Sequence, residues 1–105
     1  MRLCDLREAS EPQTIADGAR TVSLGQRNWA ILKDGLSKMV EVPEANIKEG
    51  VRVLFALANL KAEPTGALAI GALLTEPETF RGARVCCVVS GGNVDPEVYR
   101  NILAG

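Results

Sequence analysis

Apolar positions are spaced unevenly along the chain, and the spacing separates helix from strand. Ile47, Val51, Leu54, Phe55 and Ala58, with Leu57 beside them, follow the i, i+3, i+4, i+7 rule. That periodicity predicts an amphipathic helix from about Glu44 to Leu60, with Pro43 suited to its first turn. Trp29, Ile31, Leu32 and Leu36 give a second, shorter helix from Gln26 to Leu36. Ala67 to Leu74 (ALAIGALL) is apolar with small residues throughout. It predicts a buried helix in which the small positions, Ala69, Gly71 and Ala72, let another backbone come close. Met39 to Val42 is a short strand candidate stopped by Pro43. Arg84-Val85-Cys86-Cys87-Val88-Val89 is a continuous β-branched run, the pattern of a strand covered on both faces. It halts at Ser90-Gly91-Gly92-Asn93. Asp95-Pro96-Glu97 then supplies a cap, a first-turn proline and an acid matched to the helix dipole, with Val98, Ile102 and Leu103 on one face. Thr75 to Gly82, holding Pro77, reads as a loop.

This alternation predicts an α/β fold: a small, mostly parallel sheet flanked by helices. Residues 1–13 are polar, contain Pro12 and read as a loosely ordered arm. Asp5, Glu8 and Glu11 with Arg2 and Arg7 form a solvated face there, with no metal site expected. Residues 14–105 form a single α/β module.

Length and composition narrow the chemistry. The 105 residues make one domain at most, 47% hydrophobic and 24% charged, in the globular range. Lys plus Arg number 12 against 13 acids, a net charge of −1, which gives no field for a nucleic-acid backbone. No apolar stretch reaches the ~18 residues of a membrane span. Histidine is absent, which excludes an imidazole base or ligand. Three cysteines, Cys4, Cys86 and Cys87, form no disulfide framework, and adjacent Cys86 and Cys87 point to opposite sides of a strand. The expected setting is the reducing cytoplasm, with Cys86 and Cys87 as core residues. An enzyme using Ser90 or a cysteine as nucleophile lacks a base.

Three segments are candidates for a site. Ser90-Gly91-Gly92-Asn93 lies beyond the carboxyl end of the predicted strand, where open α/β sheets bind ligands. Its glycines leave room for close approach, and Ser90 offers a hydroxyl. A plain strand-to-helix turn explains the same residues. Glu63-Pro64-Thr65-Gly66 places Glu63 between two apolar segments, either part-buried or simply a loop carboxylate. Asp17-Gly18 is a turn signal that serves equally as turn or site.

In order and spacing, Thr14-Ile15-Ala16-Asp17-Gly18, Asn28-Trp29, Glu63-Pro64-Thr65-Gly66-Ala67 and Ser90-Gly91-Gly92-Asn93-Val94-Asp95 resemble the C-terminal part of the serine/threonine dehydratases. The resemblance runs from about residue 11 to 103. These are pyridoxal-phosphate enzymes of the tryptophan synthase β-like fold, and they include serine racemase. The resemblance implies that Ser90 hydrogen-bonds the pyridine nitrogen of the cofactor, a neutral partner suited to β-elimination. It implies that Gly91 and Gly92 let the backbone lie beside the ring, that Asn93 belongs to the same cofactor-binding motif, and that Glu63 sits near the ring. Asp17, Gly18 and Thr21, or Ser23 in place of Thr21, fall on the substrate side.

The family's Schiff-base lysine and glycine-rich phosphate cradle have no counterpart here. Lys33, Lys38, Lys48 and Lys61 match non-catalytic stretches. No catalytic residue is therefore expected in this chain. The isolated chain is expected neither to bind pyridoxal phosphate nor to perform the dehydration that yields a 2-oxo acid and ammonia. The module reads as part of a larger domain, completed by a homodimer partner or by the missing N-terminal portion. The alternative is a non-enzymatic module that self-associates or binds a partner.

Overall fold

A computed structural model describes residues 10–105. Five helices account for its regular structure: α1 (Gln26–Gly35), α2 (Glu44–Ala58), α3 (Leu68–Thr75), α4 (Pro77–Phe80) and α5 (Pro96–Ala104). Single 3₁₀ turns at Asp17–Ala19 and Thr65–Ala67 complete the order.

The α2 helix follows its predicted face. Ile47, Val51 and Leu54 are buried, while Phe55 is half exposed and Leu57 is 83% exposed. Its end is set by Asn59, which adopts a left-handed conformation (φ 53°) and lets Leu60 N–H donate to Leu54 O at 3.0 Å. That closure, from residue 60 back to residue 54, satisfies a carbonyl of the last turn and reverses the chain. Toward the end of the chain Asp95 caps α5. Its Oδ1 accepts from Glu97 N at 2.9 Å and Val98 N at 3.2 Å, with Pro96 in the first turn.

Glycine makes the central packing possible. A β-carbon on Gly50 would lie 2.9 Å from Ala67 O, and one on Gly71 would lie 3.2 Å from Asn46 O and 2.6 Å from Val42 Cγ1. The backbones of α2 and α3 are thus in contact, as the small-residue run predicts, but α3 is not the buried helix expected: only Gly71 is buried and Leu74 is 40% exposed. Asn46 Nδ2 donates to Thr75 Oγ1 at 3.0 Å and locks the far end of the pair. Val51, Leu54, Ala62, Ala67 and Ile102 form the core, with Ile15, Ile70, Val89 and Tyr99 packed around it. In α1, Trp29 is buried but Ile31 is 73% exposed, so only part of its predicted face is used.

The expected sheet does not form among the described residues. Residues 39–42 and 84–89 carry the strand pattern but make no ladder. The 84–89 run is largely open to solvent: Val88 is 74% exposed, Cys86 is exposed and Cys87 is half-buried, not core. The reason is physical. A strand is a pairing property, and no second strand among the described residues lies beside it to supply hydrogen bonds or cover both faces. The smallest dimension of the molecule is 19 Å. Two helix layers about 10 Å apart fill that, and a sheet between helices needs more. The loop expected at 75–82 contains the one-turn helix α4, opened by Pro77. The arm at residues 1–9, with Cys4 and its charges, lies outside the described residues. Ser10 to Gln13, the rest of that arm, are exposed and irregular.

Gly50→Ala tests the backbone contact. The gain in helix propensity, about 1 kcal/mol, opposes an overpacking cost of about 1–3 kcal/mol. The expected net result is a lower thermal midpoint, by several degrees. A raised midpoint in thermal unfolding would show that α2 and α3 do not touch here.

Candidate functional site

The three motif segments, distant in sequence, meet. After the reversal at Asn59 the chain runs through Leu60, Lys61 and the fully buried Ala62 to Glu63. Pro64 and the 3₁₀ turn Thr65–Ala67 then lead into α3, with Ala67 N–H shared between Glu63 O and Pro64 O, both at 3.1 Å. Beside this stretch lies Ser90-Gly91-Gly92-Asn93. Glu63 N–H donates to Gly91 O at 3.0 Å. Contact is so close that a β-carbon on Gly66 would lie 2.6 Å from Gly91 O, and one on Gly92 would lie 2.5 Å from Lys61 O. A β-carbon on Gly91 would lie 2.5 Å from Glu63 Oε1. The room that Gly91 and Gly92 leave is therefore taken by Glu63 and by the Lys61 carbonyl. These glycines serve the approach of two protein segments, a use the sequence alone did not separate from approach to a ligand.

The third segment is held from the side. Ile15 N–H donates to Glu44 Oε2 at 3.0 Å and Ala16, 1% exposed, anchors the turn. Gly18 N–H then donates to Thr65 Oγ1 at 3.0 Å. Asp17, Arg20, Glu63 and Asn93 share the wall of a cavity of about 230 Å³, whose apolar side is Ile15, Pro64, Val94 and Val98. Arg20 Nε donates to Thr14 O at 2.7 Å, which turns the guanidinium back onto its own loop.

Among the predicted residues, the fold thus gathers Asp17, Gly18, Glu63, Gly91, Gly92 and Asn93. Glu63 is half-buried, and Ser90 is exposed at the edge of the group. Thr21 and Ser23 are exposed and do not line the cavity, and Ser23 Oγ–H turns to Leu24 O at 3.4 Å. Thr65 and Gly66 were missed as joining residues. The signal was present, in a hydroxyl and a glycine adjacent inside an otherwise apolar turn, but their partners are 47 and 25 residues away in sequence.

Ser90 offers a neutral hydroxyl and is exposed, and Glu63 offers a carboxylate on the cavity wall. Nothing among the described residues gathers amides for a phosphate at this junction. The α5 N-terminus next to Asn93 is already closed by the Asp95 carboxylate. Two lysines are occupied: Lys38 Nζ pairs with Glu76 Oε2 at 2.8 Å, and Lys61 Nζ lies over the Tyr99 ring, 6.0 Å from its centre. Among the described residues no group of three or more metal-ligating side chains comes together.

Residues 3–91 match the family model described as pyridoxal-phosphate dependent enzyme. The chain belongs to that family. Over 94 residues it is 39% identical to an L-threo-3-hydroxyaspartate ammonia-lyase from Pseudomonas sp, covering 90% of this chain and 30% of that protein. It is 33% identical over 93 residues to a serine racemase from Schizosaccharomyces pombe, covering 89% and 29%. Among solved structures it is similar to a threonine deaminase from T.th., with a TM-score of 0.71 at 37% identity, covering 85% of this chain and 32% of that one. The serine racemase of Dictyostelium discoideum gives a TM-score of 0.77 at 26% identity, over 88% and 29%. The chain therefore spans less than a third of the length of these relatives. Members of the family use pyridoxal phosphate, and these matches include ammonia-lyases and racemases.

Gly66→Ala bears on the junction itself. A methyl group 2.6 Å from Gly91 O has only backbone to displace. The expected cost is about 1–3 kcal/mol, with faster amide exchange at Glu63 as its bond to Gly91 O opens. Unchanged Glu63 exchange would refute the contact.

Proposed function

We propose that the chain forms the cofactor-ring side of a dehydratase-type ammonia-lyase, acting on a β-hydroxy amino acid to give a 2-oxo acid and ammonia. The observation that supports this most is the junction of Glu63-Pro64-Thr65-Gly66 with Ser90-Gly91-Gly92-Asn93, joined through Glu63 N–H and Gly91 O. That junction sets Glu63 on the cavity wall and against Gly91, the residue next to the exposed Ser90. Pyridoxal phosphate, when bound, supplies the electron sink for loss of the β-hydroxyl. Ser90 then holds the pyridine nitrogen with a neutral hydroxyl, which tempers that sink. Gly91, Gly92 and Asn93 would hold the cofactor together with Ser90, and Glu63 would lie near it. Asp17 and Gly18, with Thr21, are the substrate-side residues of this reading, and of these Asp17 lines the cavity.

The 105 residues alone do not eliminate water from the substrate in this reading, since the lysines match non-catalytic stretches of the family pattern. Activity needs an amino-terminal portion that brings the lysine and the phosphate cradle. The same portion supplies the neighbouring strands that turn 84–89 into part of a small parallel sheet. Val85 at 45% exposure, Val88 at 74% and Leu57 at 83% are the surfaces it would cover. In its absence a homodimer serves to cover them. The exposed thiol of Cys86 and the part-buried thiol of Cys87 fit a reducing cytoplasm.

Two measurements check this. Light scattering behind size exclusion is expected to show a mass well above 11.2 kDa for the chain alone; a clean monomer rules out the homodimer. Mixed with the amino-terminal two thirds of the Pseudomonas relative and pyridoxal phosphate, the chain should release ammonia from L-threo-3-hydroxyaspartate, serine or threonine. Ser90→Ala should cut that rate about 10²-fold or more, on the scale of losing one positioned catalytic hydrogen bond. No ammonia from any of the three would overturn the reading.

A further inference from the structure

We infer that Thr65 is the positioning residue that ties the substrate-side turn to the cofactor-side junction. The inference rests on the dehydratase-type reading above and deepens it, because it names what sets the distance between the two halves of the site.

Thr65 sits between the two. Its Oγ1 accepts the Gly18 N–H at 3.0 Å, across 47 residues of sequence. Its backbone opens the 3₁₀ turn Thr65–Ala67, whose next residue, Gly66, lies against Gly91. One residue therefore has its side chain on the Asp17–Ala19 turn and its backbone on the turn that contacts Gly91. Steric fit adds to the hydrogen bond. A β-carbon on Gly18 would lie 3.0 Å from Thr65 Oγ1 and 3.1 Å from Cγ2, so the two turns are already at contact. The turn's other bonds are local, from Ala16, Asp17, Ala19 and Arg20 N–H and Arg20 Nε to residues 14–17, and Ile15 N–H reaches Glu44. The Thr65 hydroxyl is thus the link from Asp17-Gly18 to the junction, while the Glu44 bond ties the preceding residue to α2.

The consequence for the reaction is specific. Thr65 touches the backbone of the substrate turn and not the reacting atoms, so its loss loosens substrate placement and leaves the chemical step nearly intact. Valine keeps the shape and removes the hydroxyl; serine keeps the hydroxyl and removes the methyl.

Amide exchange by NMR on the full chain reads the link directly. Thr65→Val should speed Gly18 exchange about tenfold, the scale of one net hydrogen bond, and Thr65→Ser should restore it to within about threefold of the parent. The amides of Glu97 and Val98, held by Asp95, serve as the folding control and should not change. Gly18 exchange that is the same in all three chains overturns the inference and leaves the proposed function standing. Loss of protection at Glu97 and Val98 as well makes Thr65 a residue of general stability and also overturns it. In the assembled enzyme, Thr65→Val should raise KM for the amino acid about tenfold with kcat within about twofold, and Thr65→Ser should reverse most of that. A fall in kcat at constant KM would overturn the positioning role. An assembly without any activity removes the reading on which the inference rests, and the inference with it.

Discussion

The close approach of residues 61–66 to residues 90–93 is the constraint on which the rest of the structure depends. Backbone meets backbone at Gly66 and Gly92, and the Glu63 side chain lies against Gly91, so all three positions need glycine. One hydrogen bond, Glu63 N–H to Gly91 O, sets the register. Everything leading to these segments is arranged to deliver them. Asn59 turns the chain out of α2 at the right residue, Ala62 passes through the core without occupying much volume, and Val94 is buried just before Asp95 starts α5. A change that adds one methyl group at Gly66 or Gly92 has only backbone to push against, and backbone yields less cheaply than the end of a side chain.

This constraint explains which parts of the fold were legible from sequence. Helix α2 could be read from Ile47, Val51 and Leu54 because a helix makes its own hydrogen bonds and needs a partner only for one face. Helix α5 could be read from Asp95-Pro96 because a cap is local chemistry. The Val85 to Val89 run carried an equally clear pattern, yet forms no strand here. Its pattern describes burial between two strands and two layers, and those neighbours are not among residues 10–105. Ile31 and Leu57 show the same thing on a smaller scale. Their apolar character predicts burial, and they stay exposed among the described residues.

The candidate site divides in the same way. That Asp17-Gly18, Glu63-Pro64-Thr65-Gly66 and Ser90-Gly91-Gly92-Asn93 belong together was legible through the family resemblance. What each glycine is for was not. Read alone, Gly91-Gly92 after a strand suggests space for a ligand. In the structure that space is filled from the protein side, by Glu63 Oε1 and Lys61 O. The glycines let residues 90–93 lie directly against residues 61–66. Thr65 was overlooked for a related reason: its hydroxyl is used 47 residues away, and no local pattern reports such a bond.

The absence of histidine takes on a different meaning once the division of labour is seen. A chain that had to act by itself as a hydrolase would need a base beside Ser90, and its composition offers no imidazole. A chain that supports a cofactor needs something else: an uncharged donor or acceptor at a fixed height, a nearby carboxylate, and a rigid backbone to carry both. Those are properties of geometry more than of acid–base strength. The three glycines, the single inter-segment hydrogen bond and the Asp95 cap supply rigidity without using any titratable side chain except the cap, whose carboxylate is spent on α5. The family's segments are thus held here by backbone contact, with Glu63 on the cavity wall and against Gly91, and Ser90 exposed next to it.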